Sequence, residues 1–243
     1  MKNLLEIQNL HKRYGGVQAV NNLSFTVQEA SITALIGPNG CGKTTAFNLI
    51  CGFEKPDEGV SILNKQELPK KPHLVAKAGI SRTFQNTRLF SNLTVQEHVQ
   101  LALNNNDYSI LQSLKQEEDK QETIQQALQA VGFNNKETTK AQDLSYGQKK
   151  LLDLAIANAR KHEILLLDEP VAGVNPKLRE HIKTLLLQLK KQGRTVLLIE
   201  HDMNFVMEIA DTIHVMNQGT ILMSGTPQQV REDKRVLEAY LGE

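Results

Sequence analysis

Apolar residues along this chain recur in two rhythms. Near the N-terminus they alternate with polar ones, in Leu5-Glu6-Ile7-Gln8 and again in Leu23-Ser24-Phe25-Thr26-Val27, with the turn pair Gly15-Gly16 between. Alternation of period two marks strands with one covered face. Residues Ile32 to Ile36 form a buried-strand candidate that runs straight into Gly37-Pro38-Asn39-Gly40. From Thr44 to Ile50 the pattern turns helical, and from Gly59 to Leu63 it returns to strand. Between about Asn86 and Ala159 the rhythm changes. This stretch is rich in Gln, Asn, Leu and charge, with helical spacing at Val95, Val99 and Leu103 and at Ile124, Leu128 and Val131. Its run Lys115-Gln116-Glu117-Glu118-Asp119-Lys120-Gln121-Glu122 reads as a solvated helix face. The region is therefore expected to be a mostly helical subdomain inserted in an α/β core.

Beyond it, Ile164 to Leu167 and Val196 to Ile199 are strongly apolar strands separated by a helix-length segment from Pro176 to Lys191, with Gly193 past its end. Strand, helix, strand in that order predicts a parallel βαβ unit. The tail predicts strands at Thr212 to Met216 and Ile221 to Met223 about the turn Gln218-Gly219, then helix to Leu241.

Composition narrows the classes. The 243 residues, 40% hydrophobic and 23% charged, suit one large α/β domain with an insertion. Lys+Arg 28 against Asp+Glu 27 leaves a net charge of +1, without the global positive field that steers a protein onto nucleic acid. No apolar run exceeds four residues, whereas a membrane-spanning helix needs about 20. Glu6 arrives too early for a signal-peptide core, and the two cysteines, Cys41 and Cys51, make neither a disulfide framework nor a zinc pattern. The expectation is a soluble chain in the cytoplasm.

Gly37-Pro38-Asn39-Gly40-Cys41-Gly42-Lys43-Thr44 is an intact G-x-x-x-x-G-K-[ST] string between a strand and a helix. Its glycines let consecutive backbone N–H groups turn inward around a phosphate, and the helix that follows presents its positive end. Lys43 is expected on the β- and γ-phosphates and the Thr44 hydroxyl on Mg²⁺. Ile164-Leu165-Leu166-Leu167-Asp168-Glu169-Pro170 carries carboxylates to the end of a buried strand, at the sheet edge where α/β folds bind ligands. Asp168 is expected to hold Mg²⁺ through water, and Glu169 to polarise the attacking water as a general base. Cys41, at a helix N-terminus beside Lys43, has two readings: a tolerated small side chain within the loop, or a thiol of lowered pKa that an alkylating reagent attacks and MgATP protects.

The string Leu144-Ser145-Tyr146-Gly147-Gln148, 23 residues ahead of Asp168 counted from its serine, resembles the signature sequence of ABC-type ATPases. The resemblance covers essentially the whole chain, as a single domain over 1–243. It implies a P-loop NTPase core of ABC ATPase type, an antiparallel β subdomain, and the inserted helical subdomain at about 86–159 carrying the signature. It further implies that ATP is sandwiched between the P-loop of one subunit and the signature of another in a head-to-tail dimer. Tyr14 falls where the family stacks an aromatic ring on adenine, Thr45 on a second phosphate-contacting hydroxyl, and His201 on the switch histidine. Gln85 falls on the glutamine that senses Mg²⁺ and attacking water and couples to the membrane partner. In the segment Ala172-Gly173-Val174-Asn175-Pro176, Asn175 replaces the usual Asp of the D-loop.

Within the family, Arg82-Thr83-Phe84-Gln85-Asn86-Thr87-Arg88-Leu89-Phe90, Ile199-Glu200-His201-Asp202-Met203 and the ending Glu238-Ala239-Tyr240-Leu241-Gly242-Glu243 resemble the branched-chain amino acid importers. The implied partners are an identical or paralogous ATPase subunit, two integral membrane permeases and, indirectly, an external substrate-binding protein. The implied location is the cytoplasmic face of the cell membrane. Two alternatives stand beside this: an exporter ATPase of lipopolysaccharide type, which shares the Tyr-Leu-Gly-Glu ending, and a soluble ABC ATPase of an assembly system without a membrane partner, for example in iron–sulfur cluster biogenesis.

Overall fold

The computed structural model describes residues 2–85, 87–103 and 121–241. Lys115 to Lys120 of the charge run therefore lie outside the described residues, as do Asn86, Gly242 and Glu243. Gln121 and Glu122, which close the run, are exposed at the start of a helical stretch over 121–130.

The described residues form two compact units. The first draws on Met1–Arg82, His162–Pro170 and Leu186–Glu243. It holds a four-stranded antiparallel sheet and a six-stranded mixed sheet. The antiparallel sheet has the order β2-β1-β4-β5, from β1 (Asn3–Tyr14), β2 (Val17–Gln28), β4 (Glu58–Leu63) and β5 (Gln66–Glu67). Strands β1 and β2 run well past the stretches that alternate in sequence. Their pairing shifts register between Ile7 and Leu10 and between Leu10 and Lys12, so the apolar rhythm breaks while the ladder continues. Tyr14 pairs with Val17 across the Gly15-Gly16 turn.

The mixed sheet has the order β10-β9-β3-β8-β7-β6, with β3 (Ile32–Ile36), β6 (Ile80–Arg82), β7 (Ile164–Asp168), β8 (Thr195–Ile199), β9 (Thr212–Asn217) and β10 (Thr220–Gly225). All neighbours are parallel except β10 on β9. Every residue of β3, β7 and β8 is buried, which is why these strands read as continuous apolar runs. Between β3 and β4 comes α1 (Lys43–Ile50), whose Ala46, Phe47, Leu49 and Ile50 are buried in the same core as Leu35, Leu166 and Leu197. Strand β6, at the edge of the sheet, stops at Arg82. Shorter helices α2 (Pro72–Lys77), α7 (Met203–Ile209), α8 (Pro227–Glu232) and α9 (Lys234–Leu241) complete the unit.

The second unit comprises Thr83–Lys161 and Val171–Leu185. Its helices are α3 (Val95–Leu103), α4 (121–130), α5 (Tyr146–Ala159) and the first turns of α6 (Pro176–Lys191). Of the positions picked out by helical spacing, Val95, Val99, Ile124, Leu128 and Val131 are buried and Leu103 is half-buried. The buried His98 is fully satisfied: Nδ1 donates to the Thr94 carbonyl and Nε2 accepts from the Phe90 N–H. None of the described helices is long and apolar enough to cross a membrane.

Candidate nucleotide-binding and hydrolysis site

In the first unit, three successive loops leave the same edge of the mixed sheet. The phosphate-loop string follows β3, Asp168 and Glu169 end β7, and His201 lies just after β8; β8 lies between β3 and β7 in the sheet. Parallel strands all point their C-terminal ends to one side, so residues far apart in sequence meet there.

The loop depends on its glycines. At Gly37, with φ 152°, a Cβ would come within 2.0 Å of the Met216 carbonyl oxygen; at Gly42, with φ 107°, it would come within 2.2 Å of the Ala19 carbonyl oxygen. Both contacts are with backbone, so a side chain would force the loop open. Gly42 is also the N-cap of α1, and no side chain caps that helix, which leaves its first N–H groups for an anion. The buried Lys43 ammonium folds back onto the Gly37 and Pro38 carbonyls at 2.6 and 2.8 Å. Pro38 and Thr45 are half-buried, whereas Asn39, Gly40 and Thr44 are exposed. Cys41 follows the first of its two readings, the tolerated small side chain. It is buried, and desolvation pushes its thiol up despite the nearby Lys43 ammonium, so it is a neutral thiol rather than a reactive thiolate. Cys51 is likewise buried and pushed up to about 11.

Asp168 and Glu169 have opposite surroundings. Asp168 is buried, and its Oδ2 accepts from Arg82 Nη2 at 3.0 Å. Arg82 also donates through Nη1 to Asn48 Oδ1 at 2.9 Å, and its guanidinium lies 5.6 Å from the Phe47 and Phe53 ring centres. Glu169 has φ +49°, an uncommon conformation for a side-chain-bearing residue. That kink follows directly on the last residue of the strand, and Glu169 Oε1 lies 3.8 Å from Nδ1 of the exposed His201. Tyr14, at the end of β1, is half-exposed; its hydroxyl donates to Glu54, and the Lys12 ammonium lies 5.5 Å from its ring centre.

The second unit carries the signature string, Gln85 and Asn175. Ser145 is the N-cap of α5 in a capping box: its Oγ accepts from the Gln148 N–H at 3.3 Å, and the Gln148 side chain accepts from the Ser145 N–H at 2.9 Å. Leu144 is buried. The exposed Tyr146 sends its hydroxyl to the Ala172 carbonyl, beside Gly173. Gly147 leaves room for Leu178, whose side chain would lie 2.4 Å from a Cβ there. Asn175 caps α6, its Oδ1 accepting from the Leu178 N–H at 2.9 Å. An open cleft of about 970 Å³ lies beside these residues, lined by Tyr146, Gly147, Leu151, Val174 and Leu178 among others. Gln85 is exposed.

The family model described as ABC transporter matches residues 20–172, more than half of the chain. The chain belongs to the ABC transporter family. A second model, branched-chain amino acid ATP-binding cassette transporter, matches residues 220–243. The chain is 41% identical to the high-affinity branched-chain amino acid transport ATP-binding protein BraF of Pseudomonas aeruginosa, over 99% of this chain and 98% of that one. It is equally similar, with the same coverage, to the protein of that description called LivG in Escherichia coli. Among solved structures, it resembles a nucleotide-free ATP-binding cassette from an ABC transporter, with TM-score 0.86, 32% identity and full coverage of both chains. An ADP-bound cassette matches with TM-score 0.87 at 32% identity, again over both whole chains. As a member of this family the chain is a nucleotide-binding ATPase. These relatives favour neither the lipopolysaccharide-exporter alternative nor that of a soluble assembly ATPase.

Four further residues of this ABC ATPase escaped the sequence reading. Arg82 was legible only as part of a subgroup string, although an arginine ending a buried strand needs an anion. Asn48, Lys150 and Asp153 gave no motif; a lone acid inside Leu151-Leu152-Asp153-Leu154-Ala155 was the one available signal. Burial pushes the Asp153 carboxyl up to about 6, against the pull of the Phe84 N–H and the Lys150 ammonium. Its pKa in the fold is thus above the unfolded value near ~3.9. Its contribution to stability is full below about pH 4 and is lost as pH rises through 6. Asp153→Asn removes that term. Relative to wild type, the variant is expected to gain stability as pH rises from about 4 to 7, by up to about 3 kcal/mol, and to hold that gain at higher pH. Chemical denaturation across that range checks this; a constant difference between the two proteins would contradict it.

Proposed function

We propose that this chain is the ATP-hydrolysing subunit of an importer for branched-chain or related amino acids. Two copies, or one copy and a paralogue, close head to tail on two ATP molecules, and hydrolysis reopens them. The observation that carries the hydrolytic part is the convergence of the glycine cradle, Lys43, Asp168, Glu169 and His201 at one sheet edge. Similarity over the full length to branched-chain amino acid transport proteins supports the substrate class.

Gly37 to Thr45 would bind the phosphates, Tyr14 the adenine, and Leu144 to Gln148 of the opposite subunit the γ-phosphate from the other side. Thr44 and Gln85, with Asp168 through water, offer the hard oxygen ligands that suit Mg²⁺, which takes few protein ligands when phosphates supply the rest. When bound, Mg²⁺ supplies positive charge against the β- and γ-phosphate oxygens. Glu169 takes the proton of the attacking water, and His201, 3.8 Å from it, orients on the γ-phosphate. Asn175 supports the contact between the two sites. Two permease subunits dock near Gln85 at the cytoplasmic face of the membrane, and an external binding protein delivers the solute; nucleic acid plays no part.

Affinity capture of the Glu169→Gln variant from native membranes with MgATP, with partners identified by mass spectrometry, tests this. Recovery of two multi-spanning permeases and a second ATPase subunit is expected. Recovery of soluble partners alone would end the importer reading and leave the ATPase chemistry standing.

A further inference from the structure

Helix α5 opens at the signature and, one turn later, grips the main chain that carries Gln85. Lys150 and Asp153 stand three residues apart on α5, so they share a face. The Lys150 ammonium donates to the Gln85 carbonyl at 3.3 Å and lies 5.9 Å from the centre of the Tyr146 ring. The Asp153 carboxylate accepts the N–H of Phe84 and lies beside Lys150. Lys150 is only 7% exposed.

A buried ammonium and a desolvated carboxylate are a costly choice for packing alone, since apolar residues of similar volume would serve at least as well. Both polar ends instead meet backbone atoms of two consecutive residues, the N–H of Phe84 and the C=O of Gln85. Two bonds of that kind fix the place and the orientation of the segment. Contacts to main-chain atoms also hold it whatever the Phe84 and Gln85 side chains are doing.

We propose that Lys150 and Asp153 are positioning residues that tie the Gln85 segment to the signature helix, so that Gln85 and the signature move as one piece. Lys150 adds a second, weaker link, because the same ammonium lies over the Tyr146 ring of the signature, 5.9 Å from its centre. A displacement imposed at Gln85 is then delivered to Ser145 and Gly147 without passing through the sheet. The functional consequence rests on the reading of Gln85 given above; the mechanical tie does not.

The test compares Lys150→Met and Asp153→Leu, which remove the polar ends, with Lys150→Arg and Asp153→Asn, which keep a donor and an acceptor. Hydrogen exchange of the segment around Phe84 and Gln85 is measured in the full-length protein, alongside ATP turnover. Asp153→Leu is expected to speed exchange at the Phe84 amide by about tenfold or more, as loss of a bond to a charged acceptor implies. In both disruptive variants kcat is expected to fall about tenfold, with KM for ATP within about twofold, and the conservative variants are expected to restore both readouts. Should Asp153→Leu fail to fold, Lys150→Met carries the test through the same exchange and kcat measurements. Unchanged exchange in the disruptive variants, or conservative variants as impaired as the disruptive ones, would overturn the proposal. Gln85→Ala separates the two ideas: if it leaves turnover intact, the reading of Gln85 fails while the exchange data still decide the tie.

Discussion

Replacing Glu169 with Gln is expected to lower kcat for ATP by about 10²–10⁴-fold while leaving ATP binding close to wild type, the loss typical of removing a general base. Three features support this size of effect. Glu169 follows the buried Asp168 directly, yet its positive φ turns it off the line of the strand. Its Oε1 lies 3.8 Å from the exposed His201. The amide of Gln preserves the shape and can still accept a hydrogen bond, but it cannot take up a proton, so the change falls on the chemical step and not on affinity. The same variant is expected to accumulate with ATP bound as a closed pair of subunits, seen as an ATP-dependent shift to twice the mass. Single-turnover hydrolysis and equilibrium ATP binding measured side by side check the assignment. A kcat within threefold of wild type would remove Glu169 as the base.

Arg82→Met is expected to destabilise the fold by about 3–5 kcal/mol, the loss that follows when one partner of a buried ion pair is removed. Arg82 and Asp168 have side chains only 6% and 4% exposed, at an N–O separation of 3.0 Å. Methionine fills much of the space between Phe47 and Phe53 but leaves the Asp168 carboxylate buried without its counter-charge, and it strips the Asn48 carbonyl of a donor. The penalty therefore comes chiefly from the stranded charge. Adding Asp168→Asn to Arg82→Met should recover most of the lost stability, because the pair is strongly non-additive. Urea unfolding of the four proteins in this cycle measures the coupling; single and double variants that simply add would show that the ion pair is not what Arg82 contributes.

Local chemistry explains which features were readable in advance. The phosphate loop is contiguous, and its glycines are demanded by backbone approaches at Gly37 and Gly42 that no other residue tolerates. Strands β3, β7 and β8 lie inside a parallel sheet, so burial on both faces writes an unbroken apolar run. Ser145 and Gln148 are three residues apart and cap their own helix. The lengths of β1 and β2 were not readable, because register shifts at their pairing erase the alternation that would mark them. Cys41 stayed open in sequence for a related reason: helix position and a neighbouring lysine are visible there, while the burial that outweighs them is not.

By itself the sequence determined the kind of chemistry here, since phosphate cradling, a strand-borne acid pair and a helix-capping signature each need only neighbouring residues in a fixed order. Tertiary structure alone decided what neutralises Asp168, where the tension at Glu169 lies, and what holds the backbone at Gln85. Arg82 reaches a carboxylate 86 residues away, and Lys150 a carbonyl 65 residues away. Such pairings exist only because chain folding buries charges together, and a buried charge takes its partner from whatever the fold brings within reach, not from its neighbours in sequence.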